Sequence, residues 1–107
     1  MAGILIVDDS SDTRMRTIRE LENYGYRIRA LSDARLAHEM IEVSRPDLVL
    51  VNRQSVDFDS VSLFLDIREK FPHIPVMLYV LKTDTALKSL NQAVTMAFKE
   101  RRAARAS

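Results

Sequence analysis

The sequence predicts an α/β fold built around a doubly wound parallel sheet, and two features of its hydropathy pattern indicate this. Short unbroken apolar runs rich in β-branched residues occur at residues 4–7, 48–51 and 76–81. Such runs are typical of strands buried on both faces of a parallel sheet. The segments between them carry apolar residues at helical spacing. Strands and helices that alternate in this way, joined by right-handed crossovers, form a doubly wound sheet.

The first predicted helix follows the first strand. Its apolar side chains Met15, Ile18 and Leu21 recur at helical spacing, and it should end near Gly25, because glycine tolerates the left-handed conformation after a helix end. Residues 26–31 then alternate between arginine and other residues. This alternation predicts a further strand, placed at an edge of the sheet.

Two more helices connect the remaining strands. The second is predicted to begin at Ser32 or Asp33, both good N-cap residues, and to end before Pro46. The third should begin at Asp59 or Ser60 and end before two prolines. The residues expected to face the core are Leu36, Ala37, Met40 and Ile41 in the second helix and Phe64, Ile67 and Phe71 in the third.

The alternation of strands and helices stops near the C-terminus. Thr83 and Asp84 can cap a helix that continues without proline or glycine over residues 83–105, and no fifth strand follows. We therefore expect a single domain over residues 1–107, with a core at 1–81 and a long C-terminal helix. The apolar stripe of that helix comprises Leu87, Leu90, Ala93, Val94, Ala97 and Phe98.

Length and composition limit the classes of protein that the chain can belong to. A chain of 107 residues with 47% hydrophobic content is sufficient for one ordinary core. It has no cysteine, which favours a reducing compartment, and we expect the cytoplasm. The apolar run at residues 3–7 is too short for a membrane span or a signal peptide. The net charge of +1 neither favours nor excludes a polyanionic partner.

Five short motifs lie where the predicted strands and helices begin or end. They are Val7-Asp8-Asp9-Ser10 after the first strand, Arg14 in the first helix, Tyr24-Gly25-Tyr26 after it, Pro46-Asp47-Leu48-Val49-Leu50-Val51 leading into the third strand, and Ile74-Pro75-Val76-Met77 opening the fourth. In this order, over roughly the first four fifths of the chain, they resemble the receiver domain of bacterial response regulators. The resemblance implies a flavodoxin-like sheet of strand order 2-1-3-4-5, from which the fifth strand is missing here.

The chemistry that this resemblance implies is phosphoryl transfer from a histidine kinase to an aspartate. In the family, carboxylates at the strand ends hold Mg²⁺, which neutralises the transferring group. Asp8 and Asp9 match the metal-site acids, Asp9 as the direct ligand and Asp8 acting through water. The acceptor position holds Asn52, whose amide is not a carboxylate nucleophile. We therefore expect a degenerate pseudo-receiver that is not an enzyme.

Three further parts of the site depart from the family's pattern. Val80 replaces the Ser or Thr of the phosphorylation switch at the end of the fourth strand, and valine has no hydrogen-bond donor. Ser55 and Val56 replace a Met-Pro pair, and Ser60 replaces a glycine. The family's lysine belongs to the missing fifth strand, and its role is not transferred to Lys82.

The acids of the site admit more than one interpretation. Asp8 and Asp9 can form a residual site that binds Mg²⁺ weakly, or one can cap the first helix while the other is solvated. We favour the second interpretation, with no required cofactor, because the third negative charge of the site is gone. Phosphorylation of another acid, Asp57 or Asp59, is the alternative function, although helix capping is the simpler role for Asp59.

Basic residues at the end of the C-terminal helix suggest a third, weaker function. Lys99, Arg101, Arg102 and Arg105 could contact DNA in a regulator. Aromatic residues do not interleave with them, and cations near a helix C-terminus complement its dipole. We therefore do not expect a nucleic-acid partner.

The missing fifth strand leaves the apolar strand at residues 76–81 without an outer partner, which is unfavourable in water. We expect the C-terminal helix to cover it, by folding back or, as we favour, by packing against a second copy in a two-fold dimer. The expected function is a phosphorylation-independent module of two-component signalling that binds a protein partner and itself. The interface candidates are Val76, Leu78, Val80, Leu87, Leu90, Val94 and Phe98.

Overall fold

A computed structural model describes residues 2–106, with side chains over 2–83 and 86–100. Strands and helices alternate as the sequence predicts, up to a final long helix. The strands are β1 (Gly3–Val7), β2 (Arg27–Leu31), β3 (Leu48–Asn52) and β4 (Val76–Tyr79). The helices are α1 (Ser11–Asn23), α2 (Ala37–Ser44), α3 (Ser60–Lys70) and α4 (Asp84–Ala106).

The four strands form one parallel sheet in the order β2-β1-β3-β4, which confirms the predicted fold class. β1 and β3 lie at the centre, where their unbroken apolar sequences fit burial on both faces. β2 forms one edge and exposes Arg27 and Arg29, whereas the uncharged β4 forms the other. Because every pair is parallel, the C-terminal ends of the strands meet at one edge of the sheet. There the register places Asn52 beside Tyr79.

A pair of helices covers each face of the sheet. Successive residues of β1 alternate between the faces, so that Ile4 and Ile6 contribute to one core and Leu5 and Val7 to the other. The first core also contains Leu21 of α1 and is closed by α4. The second core contains residues of α2 and α3.

The C-terminal helix α4 folds back onto its own sheet beside α1. Leu90 and Val94 are buried in the first core, and the ring of Phe98 lies 5.4 Å from the ring of Tyr26. The predicted interface candidates Leu90 and Val94 are therefore not accessible to a second copy in this arrangement. Within residues 2–106, no helix is both long enough and apolar enough to cross a membrane.

Three local predictions need correction. β4 ends at Tyr79, two residues short of the predicted end, so that Val80 and Leu81 belong to the following loop. Leu36 is exposed because Asp33 caps a short 3₁₀ turn and α2 begins only after it. Met15, whose helical spacing with Ile18 and Leu21 indicates a shared apolar face, is also exposed.

Candidate functional site

The carboxylate of Asp8 lies at the centre of a buried polar cluster where β1, β3 and β4 end. Its side chain is fully buried. Oδ1 accepts hydrogen bonds from the backbone N–H of Ser10 at 2.9 Å and from Nδ2 of Asn52 at 3.0 Å. Oδ2 accepts from the hydroxyls of Thr13 at 2.6 Å and Tyr79 at 2.7 Å. Four donors within the chain therefore satisfy both oxygens of this carboxylate.

The orientation of the Asn52 side chain follows from its hydrogen bonds. Its Oδ1 accepts from the backbone N–H of Gln54 at 2.9 Å, which leaves the amide nitrogen to face the acid. That nitrogen donates to Asp8 and also lies 3.3 Å from the hydroxyl oxygen of Thr13. A flipped amide would place an oxygen against the carboxylate and an N–H against another N–H, so the network selects one orientation.

Tyr79 reaches this cluster from the last position of β4. The side chain is 5% exposed. Burial raises the pKa of the Tyr79 hydroxyl well above its ordinary value, and the hydrogen bond to Asp8 and the charge of that acid add to the effect. The hydroxyl therefore stays protonated at neutral pH and acts as a fixed donor. Sequence reasoning treated Tyr79 only as part of an apolar strand and missed this role.

Asp9 points away from this cluster towards the loop between β3 and α3. Its Oδ2 accepts hydrogen bonds from the backbone N–H groups of Val56 at 2.7 Å and Asp57 at 2.6 Å. The predicted division of roles between the two acids, a helix cap and a solvated acid, is wrong. Ser10 is the N-cap of α1, Asp8 is buried, and Asp9 holds a loop.

The donors around Asp8 do not fit a resident Mg²⁺ ion. This cation requires oxygen atoms with free lone pairs, whereas Asp8 is surrounded by N–H and O–H groups that point at it. The third acid of the expected set is replaced by Asn52, which presents its nitrogen. Among the side chains of residues 2–83 and 86–100, no group of three acidic, histidine or cysteine residues is arranged to hold a metal.

The alternative phosphorylation sites have ordinary local roles. Asp59 is the N-cap of α3, as expected, and its carboxylate accepts from the N–H and the hydroxyl of Ser62. These hydrogen bonds lower the pKa of Asp59. Asp57 is exposed and supplies its backbone N–H to Asp9.

The remaining predicted residues lie at the margin of the site or outside it. Val80 is half-buried in the loop after β4, and Lys82 is exposed. Ser60 donates its hydroxyl hydrogen to the carbonyl of Arg53 at 3.0 Å and so closes the loop after β3. Of the basic residues in α4, Lys99 is exposed. The side chains of Arg101, Arg102 and Arg105 lie outside the described residues.

Comparison with protein families and curated proteins gives two matches. The model of the response regulator receiver domain matches residues 4–99. The DNA-binding transcriptional regulator NtrC of Proteus hauseri is 28% identical over 82 residues, which cover 77% of this chain and 17% of that protein. The chain thus spans less than a fifth of the length of this relative.

Solved structures share the fold. A CheY-like receiver domain protein of Methanospirillum hungatei JF-1 superposes with a TM-score of 0.82 at 17% identity, over 95% of this chain and 97% of that one. NtrX of Brucella abortus, solved in complex with ATP, superposes with a TM-score of 0.83 at 22% identity, over 97% of this chain and 28% of that one. The response regulator TrrA of Thermotoga maritima, solved in complex with Mg²⁺-BeF, superposes with a TM-score of 0.69 at 25% identity. The superposition covers 75% of this chain and 70% of that one.

Proposed function

Because this chain belongs to the response regulator receiver domain family, we propose that it is a bacterial signalling module that works without phosphorylation. In this proposal it has no catalytic activity and transmits its signal by binding a protein partner. The supporting observation is the side chain of Asn52 at the acceptor position. It lacks a carboxylate, and its nitrogen donates to the acid that would otherwise help hold a metal.

Phosphoryl transfer at this position would require an oxygen nucleophile. The only oxygen of the Asn52 side chain accepts the N–H of Gln54, and an amide oxygen does not form an acyl phosphate. Asp8, the acid that is hydrogen-bonded to this side chain, is fully buried and accepts four hydrogen bonds. It would have to lose some of them before it could attack a phosphoryl donor.

Incubation with acetyl phosphate and Mg²⁺, followed by intact-protein mass spectrometry, tests this proposal. We expect the mass to stay unchanged, while a receiver domain that has its acceptor aspartate gains a phosphoryl group in the same buffer. A phosphorylated chain would overturn the proposal. Peptide mapping of the label to Asp57 or Asp59 would then establish the alternative function.

We further propose that the partner surface lies along β4 and α3, and that a second copy of the chain can occupy it. The carbonyl groups of Pro75 and Tyr79 point to β3, since they accept from N–H groups on the β3 side. Backbone groups alternate in direction along a strand. Those of Val76 and Leu78 therefore point outward from the last strand of the sheet, where an antiparallel copy of β4 could pair with them.

Exposed apolar side chains on the neighbouring helix extend this surface. α3 packs against β4, and Val61 and Leu65 are 44% and 55% exposed on it. In contrast to the arginine-lined edge at β2, β4 has no charged residue that would oppose pairing. The DNA-binding activity named for the NtrC relative is not transferred, because the chain matches only 17% of that protein.

A further inference from the structure

We propose that the hydrogen-bond donors of Tyr79 and Asn52 take the place of a divalent cation beside Asp8. The pocket around this acid, called the acidic pocket below, is therefore closed to metal by two separate side chains. The inference rests on the proposed phosphorylation-independent function and extends it to the state of the pocket. It predicts that restoring the acid at position 52 is not sufficient to recreate a metal site. The second obstacle is the hydroxyl of Tyr79.

The hydrogen bonds of Asp8 divide into those from residues close to it in the sequence and those from distant strands. The N–H comes from Ser10, the N-cap of α1, and the hydroxyl from Thr13 in the first turn of that helix, both close to Asp8 in the sequence. Asn52 and Tyr79 come from β3 and β4, 44 and 71 residues away. These two distant donors each take one oxygen of the carboxylate.

The two donors also supply what a cation would supply. A carboxylate buried away from water must be compensated by positive charge or by hydrogen bonds. Asp8 is fully buried, and the N–H and O–H dipoles of Asn52 and Tyr79 compensate it from two sides. A cation entering the pocket would therefore have to displace donors that are already satisfied.

Tyr79 remains an obstacle after Asn52 is changed. The hydroxyl is 2.7 Å from Oδ2 of Asp8 and does not contact Asn52 through any described hydrogen bond. An Asn52→Asp substitution removes one of the two donors at Oδ1, where the N–H of Ser10 remains, and leaves Oδ2 occupied by Tyr79 and Thr13. Tyr79→Phe retains the buried ring and removes only the donor.

The binding of Mg²⁺ is measured by titration, with the amide chemical shifts of Asp9 and Gln54 as the readout. This measurement does not depend on phosphorylation. We expect no site-specific shifts in the wild type and weak binding in Asn52→Asp. The double variant Asn52→Asp/Tyr79→Phe should bind at least about tenfold more tightly than Asn52→Asp, the factor that one hydrogen bond to a charged group represents. Asn52→Asp/Tyr26→Phe is the matched control and should bind like the single variant, because the ring of Tyr26 packs on Phe98 instead.

The possible outcomes separate this inference from the proposed function. Equal affinities of the single and the double variant, or Mg²⁺ binding by the wild type, would overturn the role of Tyr79 but leave the acetyl phosphate result untouched. If Asn52→Asp does not fold, Asn52→Ala is compared with Asn52→Ala/Tyr79→Phe by Mn²⁺ broadening of the Asp9 and Ser10 amides, because both variants lack the Asn52 donor and only the second also lacks the Tyr79 donor. Broadening only in the double variant supports the inference, and equal spectra contradict it.

Discussion

The hydroxyl of Tyr79 donates a hydrogen bond of 2.7 Å to the carboxylate of Asp8, although 71 residues separate them in the chain. Tyr79 ends the outermost strand of the sheet, and Asp8 follows a central one. The side chain of the tyrosine therefore spans the end of β3, whose last residue Asn52 donates to the same carboxylate. Three strands are joined at one edge of the sheet by a single buried acid.

Because of the hydrogen bond from Tyr79 to Asp8, we expect the free energy of unfolding to decrease at alkaline pH. Burial raises the pKa of Tyr79 well above its ordinary value of 10.0, and the bond to Asp8 adds to this. The unfolded chain therefore loses this proton near pH 10 while the native chain keeps it. The contribution of Tyr79 to the free energy of unfolding is fully present below that pH. Above it, this contribution falls by up to about 1.4 kcal/mol per pH unit.

Urea unfolding of the wild type and of Tyr79→Phe measures this contribution. At pH 8 we expect the variant to be less stable by about 1.5–3 kcal/mol, the value of a hydrogen bond to a charged group. The difference should shrink above about pH 10. Tyr24→Phe, at a ring that is 60% exposed, serves as the control. A difference that stays constant up to the most alkaline buffer would contradict the prediction.

The loop between β3 and α3 should depend on Asp9. Oδ2 of Asp9 accepts both the Val56 and the Asp57 amide. Asp9→Ala removes these bonds, and we expect hydrogen exchange of the two amides to become at least about tenfold faster. Asp9→Asn keeps an acceptor oxygen and should have a smaller effect. Asp12→Ala, an acid in the first turn of α1, is the control, and unchanged exchange in Asp9→Ala would show that the loop is held by other contacts.

The sequence was sufficient to predict the fold because its signals are local. The apolar runs of β1 and β3, the N-cap of α3 at Asp59 and the stop at Gly25 each depend on a few neighbouring residues. The boundary of α2 was missed because Asp33 caps a 3₁₀ turn rather than an α-helix. Both kinds of turn begin with the same residue types, so composition does not distinguish them.

The candidate site was predictable only in part. Asp8, Asp9 and Asn52 were identified from their places at strand ends, but their partners depend on distances that no local pattern contains. The direction of Asp9 is set by a loop 47 residues away. The aromatic ring of Tyr79 fitted an apolar strand equally well, and only the register with Asn52 brings its hydroxyl to Asp8.

The packing of α4 predicts where substitutions in this helix will matter. Val94 is fully buried in the core between α4 and the sheet, whereas Met96 is 54% exposed. We expect Val94→Ala to lower the free energy of unfolding by about 2 kcal/mol. Met96→Ala should change it by less than about 0.5 kcal/mol. Thermal unfolding at several protein concentrations checks both expected changes in stability. If the destabilisation of Val94→Ala depended on protein concentration, this would indicate that the helix is exchanged between copies.

Self-association through α3 and β4 should be sensitive to charge on the exposed apolar surface. Leu65 is 55% exposed on α3, the helix that packs against the edge strand β4. Leu65→Glu places a charge on this surface without entering the core, and the cost of desolvating it should weaken the dimer about tenfold or more. The matched control is Val43→Glu, which makes the same type of change at a side chain of α2 that is 76% exposed. Sedimentation at concentrations on the order of 100 µM should give a dimer for the wild type and the control and a lower average mass for Leu65→Glu. A monomeric wild type would instead direct the search for a partner to a different protein that adds a strand to β4.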